Sequence, residues 1–156
     1  MSHGSDSTPL EAVGKGILAG AAGTAVMTGY QLAIAKLRGS GSSSAPAEVG
    51  KRIIEGVLGR EVPDDRMNSL NNAMHVAYGT SWGPIYGIAQ SSLRLPALHH
   101  GVLFGALVWG ASLVELPALR IAPPIWETPP PEAALDLSYH LVYGLAVAAA
   151  YAVLDR

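Results

Sequence analysis

The chain contains no cysteine, which excludes a disulfide scaffold and any thiolate metal site. It is also short of charge: 10 Lys and Arg and 12 Asp and Glu make up only 14% of its 156 residues, against roughly 25% in an ordinary soluble domain. The apolar fraction of 49% is ordinary, and mean hydropathy is +0.28. Disorder over most of the chain is excluded, because it needs low hydrophobicity and abundant charge. A net charge of −2 leaves no basic footprint for nucleic acid. Nucleophile elbow, phosphate-cradling glycine loop and helix-borne His-Glu-x-x-His motif are all missing, so no catalytic residue is assigned and an enzyme is not the favoured reading. The length allows one domain, 1–156.

The charges that are present leave long gaps. Stretches of 20, 27, 20 and 18 residues without Asp, Glu, Lys or Arg separate Lys15 from Lys36, Arg66 from Arg94, Arg94 from Glu115, and Asp136 from Asp155. A bilayer core about 30 Å thick needs roughly 20 mostly apolar residues per helix. Strand periodicity is absent, and soluble helices need a charged outer face that these stretches lack. The pattern predicts an all-α integral membrane four-helix bundle, with spans at about 14–37, 67–93, 96–118 and 132–154. The second span is the weakest, because it holds Asn68, Asn71, Asn72, His75, Pro84 and Gln90; its polar face must turn towards its neighbours. The polar first fifteen residues do not read as a cleaved signal peptide.

The 39–62 connection begins as a Gly/Ser linker. It continues as a short amphipathic helix, with Val49, Ile53, Ile54, Val57 and Leu58 on one face and Glu48, Lys51, Arg52 and Glu55 on the other. That helix is expected to rest on the lipid headgroups, or else to cap the bundle mouth. The second connection pivots at Arg94-Leu-Pro96. The third, Ile121–Pro131, is expected to be stiff and extended because of its five prolines, with Trp126 as an interfacial anchor. The face of the first and third loops carries Lys36, Arg38, Lys51, Arg52, Arg60, Arg66 and Arg120, and the opposite face Lys15, Arg94 and Arg156. The positive-inside rule would put both termini outside, although several of those charges belong to the amphipathic helix.

The two halves echo each other. Asn71-x-x-x-His75-x-x-Tyr78-Gly79-x-x-x-Gly83-x-x-x-Gly87 is matched 65 residues later by Asp136-x-x-x-His140-x-x-Tyr143-Gly144-x-x-x-Ala148-x-x-x-Ala152. Gly16-Ile-Leu-Ala-Gly20-Ala is matched by Gly101-Val-Leu-Phe-Gly105-Ala. The spacing suggests two parallel two-helix repeats about an axis along the membrane normal. Gly16, Gly20, Gly79, Gly83, Gly87, Gly101 and Gly105 are candidate packing positions, within the bundle first and between protomers second.

In that register His75 and His140 lie at one depth. Asp136 is one helical turn from His140, and Glu115 closes the third span on the same side. Asn71, Tyr78 and Tyr143 complete the neighbourhood. Ionisable groups inside a membrane are expensive and face the bundle or a cavity, which makes this set a candidate site. Its chemistry suits a proton relay. It equally suits a first-row metal ion, with His75, His140 and Asp136 as ligands, or a haem held between imidazoles. A purely structural Asp136–His140 pair is the plain alternative. His99-His100, at the opposite face, reads as interfacial.

The run Leu116-Pro-Ala-Leu-Arg-Ile-Ala-Pro-Pro-Ile-Trp-Glu-Thr-Pro-Pro-Pro-Glu132, followed by Asp136-Leu-Ser-Tyr-His140-Leu-Val-Tyr143, resembles the YagU-like family of small bacterial inner-membrane proteins. The shared features are a proline closing the third span, a double proline soon after, and an acid four residues before His-Leu-Val-aromatic. Asp136 stands where the family would have Glu, and the first loop differs. The resemblance implies a polytopic protein of the bacterial inner membrane and no particular activity. The leading expectation is a membrane protein whose His/acid cluster handles protons or a metal ion. The alternatives are an accessory or scaffold subunit, as a homo-oligomer or in a larger membrane complex, and a haem- or metal-dependent oxidoreductase component.

Overall fold

The computed structural model describes residues 8–39, 41 and 43–156, so the first seven of the fifteen polar residues at the start, and two positions of the Gly/Ser linker, lie outside the described residues. Among the described residues there are five α-helices and no strand: α1 (Pro9–Arg38), α2 (Ala45–Leu58), α3 (Met67–Leu93), α4 (Ala97–Ala118) and α5 (Pro130–Leu154). Helix α1 starts at a reciprocal cap, in which the Thr8 amide donates to Glu11 Oε2 (2.8 Å) and the Glu11 amide to Thr8 Oγ1 (3.3 Å). It ends at Gly39, whose φ of 62° is left-handed. The turn at Arg94 holds φ at 48°, and the Gln90 side-chain amide donates to the Leu95 carbonyl (2.9 Å).

Three helices, α1, α4 and α5, are long and apolar enough to cross a membrane, whereas α3 is long but not apolar enough. Large apolar side chains face outward along all three, including Leu18 (60% exposed), Leu103 (61%), Val114 (70%) and Val153 (61%). A water-soluble bundle would place polar groups there.

Helix α1 packs against α3 and α5, and α5 against α4, while α3 and α4 touch sparsely. The close approaches use the small residues. A Cβ at Gly16 or Gly83 would fall on the other's carbonyl oxygen, and one at Gly87 on that of Ala12. In the second pair, a Cβ at Gly101 would lie 2.9 Å from the Gly144 carbonyl, and one at Gly105 would strike that of His140. Pro84 supplies no amide to the Thr80 carbonyl four residues earlier, and Gly20 packs over that carbonyl instead. All seven packing glycines are thus spent inside the bundle, leaving no glycine stripe on its exterior.

The half of the bundle holding the two termini is solid. Tyr86, 1% exposed, lies edge-on to Phe104 (ring centroids 5.0 Å) and Tyr151 (5.6 Å), and stacks on His100 (4.5 Å). His100 is therefore a core residue, its Nδ1 paired with Gln90 Oε1, and only His99 is exposed as expected of an interfacial residue. A lone imidazole beside an aromatic and a glutamine amide is satisfied without water, which is why burial wins. Lys15 Nζ reaches Asp155 Oδ1 at 2.8 Å, tying the start of α1 to the end of α5.

Two connections differ from expectation. Helix α2 does not simply rest outside: Ala47 (2% exposed) is buried, and a Cβ on Gly50 would meet Leu70 and Met74 of α3. Only its second half, at Ile53, Val57 and Leu58, exposes the apolar face. The third loop is not extended throughout. It contains a 3-10 turn at Ile125–Glu127, and Pro130 and Pro131 enter the first turn of α5, where proline's missing amide costs nothing. Trp126 is 81% exposed.

Candidate functional site

At the other end the four long helices part around a cavity of about 310 Å³. Its wall includes His75, Glu115, Asp136, His140, Asn71, Tyr78 and Tyr143, so the seven residues grouped from the sequence do share one space. Helix α1 contributes Met27, Thr28 and Gln31, and α2 lies at the mouth with Ala45, Pro46 and Val49. Tyr143, 2% exposed, closes the floor and donates to the Gly79 carbonyl at 2.5 Å. Below it the aromatic core continues through Phe104, stacked on Tyr143 with centroids 5.9 Å apart. The cavity is a vestibule that lies beside this aromatic core.

The hydrogen bonds fix the state of both imidazoles. Thr28 Oγ1 donates to the Thr24 carbonyl (2.8 Å), so at 3.3 Å from His75 Nδ1 it accepts, and His75 carries its proton on Nδ1. The Asp136 carbonyl can only accept, so at 2.9 Å it fixes the His140 proton on Nδ1 as well. The carboxylate of Asp136 is 3.8 Å from His140 Nδ1 and takes its close hydrogen bond from Trp109 Nε1 (2.9 Å). Glu115 accepts from the Tyr78 hydroxyl (2.7 Å), which is also a polar link across the sparse α3–α4 seam.

Asn71 has a different part. Its Oδ1 accepts from the Ala47 amide (3.0 Å) and its Nδ2 donates to the Ser43 carbonyl (3.1 Å), which pins the start of α2 to α3. Among the described residues no group of three or more His, Cys, Asp or Glu side chains is gathered so as to hold a metal ion. His75, His140 and Asp136 line the cavity but do not form such a group, and both Nδ1 atoms and the Asp136 carboxylate have protein partners.

Sequence reasoning missed Thr28, Gln31, Ser112 and Trp109. Thr24 and Thr28 extend the Gly16-x-x-x-Gly20 row at the same four-residue spacing, which signals that α1 turns that row inward. Trp109, deep in an apolar helix, has an indole N–H that needs a partner.

The donors on the wall are largely used up. Those of Thr24, Thr28, Tyr78, Ser112 and Tyr143 all go to protein acceptors. What remains is acceptor capacity on two carboxylates and two imidazoles, together with the side-chain amides of Gln31 and Asn72. No Lys or Arg lines the cavity.

Comparison with known proteins finds no matching family model, no similar curated protein and no similar solved structure. Fold and site define the chain as a helical protein with three helices long and apolar enough to span a membrane and a vestibule whose largely apolar wall carries two imidazoles and two carboxylates.

Proposed function

We propose that the chain is a four-span protein of the bacterial inner membrane, related to the YagU-like family, whose vestibule takes up and releases protons through His75 and His140. The observation that carries this reading is the collection of both imidazoles and both carboxylates in one cavity. Helix α3 brings His75 and Tyr78, α4 brings Glu115, and α5 brings Asp136, His140 and Tyr143, while α1 and α2 line it with uncharged groups. Histidine is the side chain whose ordinary pKa lies nearest neutrality, which suits it to taking up and releasing protons.

The fourth span is α3. Its Asn71, Asn72, His75 and Tyr78 line the vestibule, and its glycines seat it on α1. The Lys15–Asp155 pair supports the same reading, because it holds the two ends of the chain at one face. The matched glycine contacts of α1 with α3 and of α4 with α5 favour an internal duplication.

Two measurements test the proposal. The cysteine-free chain permits Thr8→Cys and Arg156→Cys labelling in sealed vesicles with a membrane-impermeant maleimide. Both sites should react from the same side, and opposite sides would mean that α3 does not cross. ¹⁵N-histidine NMR, assigned with His75→Gln and His140→Gln, should show both rings changing charge between about pH 5 and 8. Rings that stay neutral down to pH 4 would refute proton handling.

A further inference from the structure

The geometry points to a protonated amine, a small amphipathic organic ammonium, as the ligand of the vestibule. This inference rests on the proposed reading of the vestibule as a membrane-embedded site and deepens it by naming what shares that site with protons.

The argument is one of complementarity. A volume of about 310 Å³ falls at the lower end of pockets that take small organic ligands, which are walled mainly by apolar groups with a few placed polar ones. Met27, Met74, Val108 and Leu116 supply such a wall. The polar positions are not balanced. The hydroxyl donors of Thr24, Thr28, Tyr78, Ser112 and Tyr143 are committed to the protein, while the carboxylates of Glu115 and Asp136 and the imidazoles of His75 and His140 line the space beside the amides of Gln31 and Asn72. An anion would meet two carboxylates with no Lys or Arg to receive it. A neutral hydrogen-bond acceptor, such as a ketone or quinone, would leave both carboxylates without a partner of opposite charge. A primary or secondary ammonium brings two or three N–H donors and a positive charge, and its carbon body suits the methionine and aliphatic wall. Charge-assisted hydrogen bonds to carboxylate are the stronger kind. Tyr78 and Glu115, joined by a hydrogen bond between α3 and α4, bring one of the acceptors to the wall of that space.

Binding of three phenyl compounds to the full-length protein in mild detergent, read by equilibrium dialysis, tests this. 2-Phenylethylammonium should bind saturably, at least about tenfold more tightly than the neutral 2-phenylethanol, and phenylacetate should not compete. Equal or tighter binding of phenylacetate, or no saturable binding of the ammonium, overturns the inference without any variant. Glu115→Gln combined with Asp136→Asn should abolish the preference for the ammonium while the alcohol still binds, and retained alcohol binding certifies the fold. A preference that survives that variant overturns the assignment to these carboxylates. Titrating imidazoles with no ammonium binding would leave proton handling standing and sink this inference. Ammonium binding beside imidazoles that never titrate would do the reverse.

Discussion

Replacing Gly83 by alanine is the sharpest test of how the helices are held together. The added Cβ would land on the Gly16 carbonyl oxygen, 2.8 Å from the carbonyl carbon and 3.1 Å from Gly20 Cα. All three atoms are backbone, so the clash is relieved only by moving α1 away from α3. Gly110→Ala, within α4, meets nothing within 4 Å and serves as the reference. Both substitutions gain the same helix propensity, up to about 1 kcal/mol, so their difference isolates the clash. Overpacking of this kind costs about 1–3 kcal/mol, roughly 5- to 150-fold in the folding equilibrium. Gly144→Ala should behave like Gly83→Ala, because its Cβ would come within 2.7 Å of Gly105 Cα. Reversible unfolding by SDS titration of the protein in mixed micelles would measure all three. Gly83→Ala and Gly110→Ala shifting the midpoint equally would refute the close packing of α1 on α3.

Three further outcomes are expected. Asn71→Ala should release the start of α2 at a cost of about 1–2 kcal/mol, the range for losing a side-chain cap, and it should speed proteolysis within 45–58 while leaving α3 intact. Trp109→Phe should remove the donor to Asp136 and lower stability by about 1–2 kcal/mol, as for a hydrogen bond to a charged group; no loss in the same SDS titration would show the indole bond to be incidental. Glu11, in the first turn ahead of the apolar stretch of α1, is held below the usual carboxylate range, first by the Thr8 amide and then by the Thr8 hydroxyl. A depressed acid contributes stability above its unfolded value and loses it as pH falls through the folded one. Hydrogen exchange in the first turn of α1 should therefore quicken as the solution is acidified, and Thr8→Ala should flatten that dependence.

The helices themselves were legible from the sequence. Gaps in charge marked α1, α4 and α5, and left-handed glycine, proline and capping residues set their ends, because these are local effects of chain chemistry. The gathering of His75, His140, Asp136 and Glu115 into one cavity was legible too, since helical spacing fixes depth and face before any packing is known. The tertiary structure decided what those residues do to one another. Only the approach of α1 could show that Thr28 fixes the His75 proton, and only the pairing of α4 with α5 that Trp109 takes the Asp136 carboxylate away from its imidazole. The burial of His100 under Tyr86 and the capture of α2 by Asn71 are likewise contacts between segments distant in sequence. Spacing along a helix determines which side chains share a face; which neighbour completes each hydrogen bond depends on where the other helices come to rest.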